Sequence, residues 1–153
     1  MVYCFRKYIL NGIFLNFVRM EAHATDLVNE FSVKTPSLDT PIKNLSGGNI
    51  QKLIMARELS RHPEVLIAAQ PTRGVDIGAT EYIHQRLLAQ RESGTAILLI
   101  SEDLDEVMAL SDRIAVIYEG RIMDIVPRVQ ATPEKLGLLM AGVHPEESAS
   151  VVK

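Results

Sequence analysis

The sequence predicts an α/β fold, a parallel β-sheet core flanked by helices, and three observations carry that prediction. Val65-Leu66-Ile67-Ala68-Ala69 and Ala96-Ile97-Leu98-Leu99-Ile100 are short, unbroken apolar runs, the pattern of strands covered on both faces. Segments of helical spacing alternate with them, giving a strand–helix–strand rhythm. Each run opens at its C-terminal end into a polar loop, residues 70–76 and 101–106, where open α/β sheets place their ligands. The chain has 153 residues, 47% hydrophobic and 23% charged, which suits a soluble domain with a sizeable core. A formal net charge of -3 with no lysine or arginine run argues against nucleic acid as a partner. Cys4 is the only cysteine, which excludes an internal disulfide and a cysteine zinc site and is compatible with a reducing cytoplasm.

Taken in order, the elements begin with an apolar run from Tyr8 to Val18, expected to be a strand or helix packed by its apolar face. Arg6 and Lys7 before it, and Ala22-His23-Ala24 after it, partly imitate a secretion signal. Asn11, Gly12 and Asn16 interrupt the run, which is too short for the ~20 apolar residues that span a bilayer. A helix is predicted from about Arg19 to Phe31, with Leu27, Val28 and Phe31 on one side. Pro36 and Pro41 deny a helix to residues 32–44, which form a connecting loop. The next helix runs from about Asn49 to Ser60 and stops before Pro63. After the strand at 65–69, a helix over about Ala79 to Ser93 turns Ile83 and Leu87 inward and ends at Gly94. A short helix follows the second strand from Leu104 to Leu110. Arg113 to Tyr118 is a strand, turned at Glu119-Gly120 into a partner strand, Arg121 to Val126. These four strands are expected to form one sheet with an uncovered apolar edge or face. Thr132 caps a last helix with Pro133 in its first turn, reaching about Met140, and the tail after Gly142 is polar.

The stretch Leu45-Ser46-Gly47-Gly48-Asn49 holds the candidate site. Two glycines after a serine let the backbone approach whatever lies opposite, and the residues that follow have helical spacing. A helix N-terminus presents unpaired N–H donors and a partial positive charge, which suit a phosphate. The same residues also read as an ordinary serine N-cap.

Other chemistry is thin. His23, His62, His84 and His144 are far apart and read as surface histidines, with no HExxH pair for zinc. There is no G-x-S-x-G elbow and no G-x-x-x-x-G-K-[ST] loop. Glu102, Asp103, Asp105 and Glu106 fall in a predicted first helical turn, where the dipole favours acids; no metal site is read from them.

Together the segments resemble a family. Leu45–Asn49, the strand ending in Pro71-Thr72, the loop Arg73-Gly74-Val75-Asp76, and the strand ending in Ser101-Glu102-Asp103-Leu104 look like the signature, Walker B, D-loop and switch segments of an ABC transporter ATP-binding subunit. The wording resembles the second cassette of tandem subunits serving simple-sugar and nucleoside importers. The resemblance covers about Gly12 to Gly142 and implies an incomplete P-loop NTPase cassette: residues 1–44 as partial helical subdomain and loop, 45–142 as the C-terminal part of the ATPase core, 143–153 as a flexible tail. No Walker A or Q-loop occurs; both would lie upstream of Met1.

The departures matter most. Where the family carries its magnesium-holding aspartate this chain has Ala69, where it carries the catalytic glutamate it has Gln70, and where it carries the switch histidine it has Glu102. No intact catalytic residue and no metal ligand is therefore expected. In the family two cassettes face each other with ATP between them. The resemblance thus implies that Leu45, Ser46, Gly47, Gly48 and Asn49 serve a site shared with a partner cassette, with Gly74, Val75 and Asp76 as the D-loop. The degenerate positions belong to the opposite site. ATP and Mg2+ are the implied cofactors of the shared site, with none for the isolated chain. A second cassette and transmembrane permease subunits are the implied partners, and the location is cytoplasmic, peripheral on the inner face of the membrane. A truncated or split product acting as a non-catalytic interaction module is the alternative, and a secreted chain a third.

Overall fold

The computed structural model describes residues 9–10 and 14–144. In chain order these are β1 (Ile9–Leu10), β2 (Phe14–Leu15), α1 (Phe17–Glu30), α2 (Gly47–Leu59), β3 (Val65–Ala69), α3 (Ile77–Glu92), β4 (Ala96–Ile100), α4 (Leu104–Leu110), β5 (Arg113–Tyr118), β6 (Arg121–Pro127) and α5 (Pro133–Met140). The run expected over 8–18 lies partly outside the described residues. Its described part is a two-residue antiparallel ladder followed by the start of α1, where Phe17 and Val18 are exposed instead of packed. Asn16 caps α1 by accepting from Arg19 N–H, which moves the helix start ahead of the expected Arg19. No helix among the described residues is long and apolar enough to cross a membrane.

Beyond the β1–β2 ladder, the other four strands form two pairs. β3 and β4 run parallel in register Val65↔Ala96 to Ala69↔Ile100. β5 and β6 form an antiparallel hairpin. Its turn is Glu119-Gly120, both at positive φ (46° and 77°), the two-residue turn whose twist matches the strands it joins. Among the described residues no ladder joins β4 to β5, so the single four-stranded sheet expected from the sequence is divided.

Two apolar clusters hold the structure. Ile114, Val116 and Val126 of the hairpin pack on Leu136 and Leu139 of α5, with Leu104, Val107 and Met108 of α4 against them. The second cluster joins Phe31 and Val33 to Ala56 and Leu59 of α2, with Leu27, Val28 and Leu66 against it. Between them α3 buries Ile83 and Leu87, the two residues its spacing predicts. Arg86 of α3 donates through Nη2 to Glu30 O and lies 4.6 Å from the Phe31 ring, while Lys52 of α2 lies 4.5 Å from the Tyr82 ring. These contacts tie α1, α2 and α3 into one body.

The expectation that β3 and β4 are covered on both faces fails on one face. Val65 (66% exposed), Ile67 (66%), Leu98 (55%) and Ile100 (49%) all lie on the same side of the pair. Continuous apolar runs record two covered faces only when the covering chain is present, and none of the described helices packs there.

Candidate functional site

Ser46 sits in extended conformation (φ -66°, ψ 156°) and begins α2 as its N-cap. Its Oγ accepts from Asn49 N–H at 3.5 Å and from Asn49 Nδ2 at 2.9 Å. Asn49 Oδ1 in turn accepts from Lys34 N–H at 2.7 Å, so Asn49 fastens the helix start to the loop leaving α1. Leu45 is half-buried beneath the turn and Gly47 is exposed. The helix therefore starts two residues before the Asn49 expected from spacing, and both glycines stand in its first turn, with their amides among the unpaired donors.

What the glycines face is specific. A Cβ on Gly47 would stand 3.2 Å from Gly74 O, and one on Gly48 would stand 2.9 Å from Ala79 Cβ and 3.6 Å from Asp76 Oδ2. Gly48 is buried. The geometry drives any side chain added at 48 into α3. The close approach allowed by the glycines is thus made partly to the chain's own loop over residues 73–76.

That loop is ordered by its own bonds. Gln70 N–H donates to Ile100 O at 2.7 Å, Arg73 N–H to Gln70 O at 3.2 Å and Val75 N–H to Thr72 O at 3.4 Å. Gly74 turns at φ 73°, and Asp76 caps α3 by accepting from Ala79 N–H at 2.9 Å. Asp76 thereby holds the start of α3 where Ala79 meets Gly48.

Ala69, Gln70 and Glu102 form a second group. The β3–β4 register sets Ala69 beside Ile100, so the ends of both strands and their loops come together. Gln70 adopts φ 48°, a conformation that side chains other than glycine's seldom take. Ser101 Oγ accepts from Asp103 N–H at 3.0 Å, and Glu102 is exposed. An alanine, an amide and one exposed carboxylate do not fit a magnesium site, and no cluster of three or more histidine, cysteine or acidic residues that could hold a metal occurs among the described residues.

One pairing escaped the sequence reading. His84 Nε2 lies 2.9 Å from Glu106 Oε1, with Glu106 only 3% exposed and its Oε2 without a partner among the described residues. Asp103 caps α4 and Asp105 lies exposed in its first turn, as expected, but Glu106 turns inward. The two residues are 22 positions apart, and only the packing of α3 on α4 reveals them.

The fold is that of part of an ABC transporter ATP-binding cassette. The chain aligns with the cassette MJ0796, solved as a dimer, at a TM-score of 0.63 and 22% identity, covering 78% of this chain and 51% of that one. The same cassette is also known in a post-hydrolysis state bound to ADP and Pi. By sequence the chain is related to ATP-binding proteins of nucleoside and sugar import. It is 52% identical over 129 residues to the guanosine import ATP-binding protein NupO of Bacillus subtilis, and 49% identical over 129 residues to the nucleoside import ATP-binding protein NupA of Lactococcus lactis. Each match covers 84% of this chain but only 25% and 26% of the relative, so the chain spans about a quarter of their length. No protein-family model matches it.

Proposed function

We propose that the chain is a portion of the ATP-binding subunit of an ABC-type importer for simple sugars or nucleosides, and that it supplies the signature side of an ATP site completed by a partner cassette. In this reading residues 45–142 are the core portion, 1–44 the adjoining helical part and 143–153 a tail. The assembly sits on the cytoplasmic face of the membrane through permease subunits. The observation that carries the proposal is the start of α2: Ser46 capping, Gly47 exposed, and the whole turn braced on Gly74, Asp76 and Ala79. Exposed first-turn amides in a rigid frame fit a phosphate. Ala69, Gln70 and Glu102 belong to the opposite site, which binds no magnesium through them and has no carboxylate at 70 to take a proton from water. When bound between cassettes, ATP would supply its phosphoanhydride bond; this chain's residues bind and orient one phosphate.

Ser46→Asp in the complete two-cassette subunit separates this function from simple capping. Aspartate is as good an N-cap as serine, so folding should be unchanged. Its carboxylate, however, places negative charge where the phosphate must approach, and ATP-driven uptake should fall at least about tenfold. Normal uptake by a normally folded Ser46→Asp subunit sinks the proposal. The purified chain alone should hydrolyse no ATP above a protein-free blank. The alternative of a non-catalytic interaction module draws on the open apolar face of β3 and β4.

A further inference from the structure

Among the described residues Glu106 is the buried carboxylate, and the reading of Ser46 gives it no task. An ionised carboxylate only accepts, so His84 donates to its Oε1 through Nε2 at 2.9 Å, while Oε2 is buried without a partner among the described residues. An acid so placed weakens a fold relative to an apolar residue of similar volume. What it adds is direction, because a hydrogen bond fixes an angle and apolar contact does not.

The two residues stand on elements of different bodies. α4 is anchored to the hairpin: Val107 and Met108 pack against the hairpin cluster, Arg128 Nε donates to Met108 O, and Asp103 Oδ1 accepts from the N–H of Glu106 at 3.2 Å. α3 belongs with α1 and α2, through Arg86 against Glu30 O and the Phe31 ring. Two residues along a helix turn through about 200°, so His84 and Arg86 leave α3 on opposite sides and hold its rotation from both. Arg91 also reaches Asp112 at 3.3 Å, but both side chains are exposed and such pairs hold little. Earlier on the same helix stands Ala79, whose Cβ would lie 2.9 Å from a Cβ added at Gly48. Any rotation of α3 therefore presses or parts the contact beneath the Ser46 turn.

We propose that His84 and Glu106 are a positioning pair for the phosphate site at Ser46: the bond between them sets the rotation of α3, and α3, through Asp76 and Ala79, sets the first turn of α2. The inference rests on the phosphate reading of Ser46 and adds to it two residues that touch no nucleotide. Their effect is on alignment, where a small displacement of a binding group costs turnover more than affinity.

The test compares steady-state ATP hydrolysis by the complete two-cassette subunit carrying Glu106→Leu, Glu106→Gln or, as a control on the site itself, Ser46→Asp. Leucine fills the space without the bond, whereas glutamine keeps an acceptor for His84. Glu106→Leu should leave the melting temperature unchanged or raised, and lower kcat at least about tenfold with KM for ATP within about twofold. Glu106→Gln should keep at least about half of kcat. Should Glu106→Leu melt lower than the parent, the double variant His84→Leu/Glu106→Leu, which replaces the pair as a whole, enters the same comparison. Melting and kcat that fall together in both leucine variants mark a merely structural acid and overturn the inference, as does a loss in Glu106→Gln equal to that in Glu106→Leu. Normal kcat in the leucine variants beside an impaired Ser46→Asp overturns this inference alone. Normal kcat in Ser46→Asp overturns the phosphate reading, and this inference with it.

Discussion

The start of α2 and the strands β3 and β4 were equally conspicuous in the sequence, yet one is finished and the other is not. Around Ser46 the structure closes on itself: Asn49 reaches the loop before α2, Gly48 meets Ala79, and Asp76 fixes the start of α3. Along β3 and β4 one face stands open, with four large aliphatic side chains between 49% and 66% exposed. The start of α2 draws these contacts from residues 34–79, whereas one face of β3 and β4 is left uncovered by the described residues. A segment can be fully braced while the strands beside it keep one apolar face open.

The contrast can be broken by mutation, and the largest loss is expected where packing is complete. Leu136 is fully buried, so Leu136→Ala should destabilise the chain by about 3 kcal/mol in urea titration. Gly48→Ala follows, at about 2 kcal/mol, because its methyl group meets a backbone-anchored Cβ at 2.9 Å. Combining it with Ala79→Gly should give a double variant more stable than the two separate losses imply by about 1 kcal/mol. Strict additivity would place the glycine elsewhere. Asp76→Ala, which removes the cap of α3, should cost about 1 kcal/mol. Smallest of all, Ile67→Ala on the open face should stay within about 0.5 kcal/mol, and a loss as large as that of Leu136→Ala would mean that the face is covered after all.

Local signals explain what the sequence reveals. The bounds of β3, β4, α4 and β5 coincide with those expected, because apolar runs bounded by Pro63, Gly94, Asp103 and Gly120 state their own limits. Thr132 and Pro133 do the same for α5. Relations between elements are less legible. The inward turn of Glu106 towards His84 depends on how α3 crosses α4, and the direction of Gly48 on how α2 meets α3. The uncovered face contradicts its own sequence pattern, since Val65 to Ala69 is written for a sheet with two covers.

Residue-resolved hydrogen exchange on the isolated chain tests that division most directly. Amides of α3 at Ile83 and Leu87, buried at 0% and 4% exposure, should exchange at least about tenfold more slowly than that of Leu98 in β4, although the latter is bonded to β3. Equal protection in α3 and β4 would contradict the account, because it would mean that the sheet is as complete as the frame around Ser46.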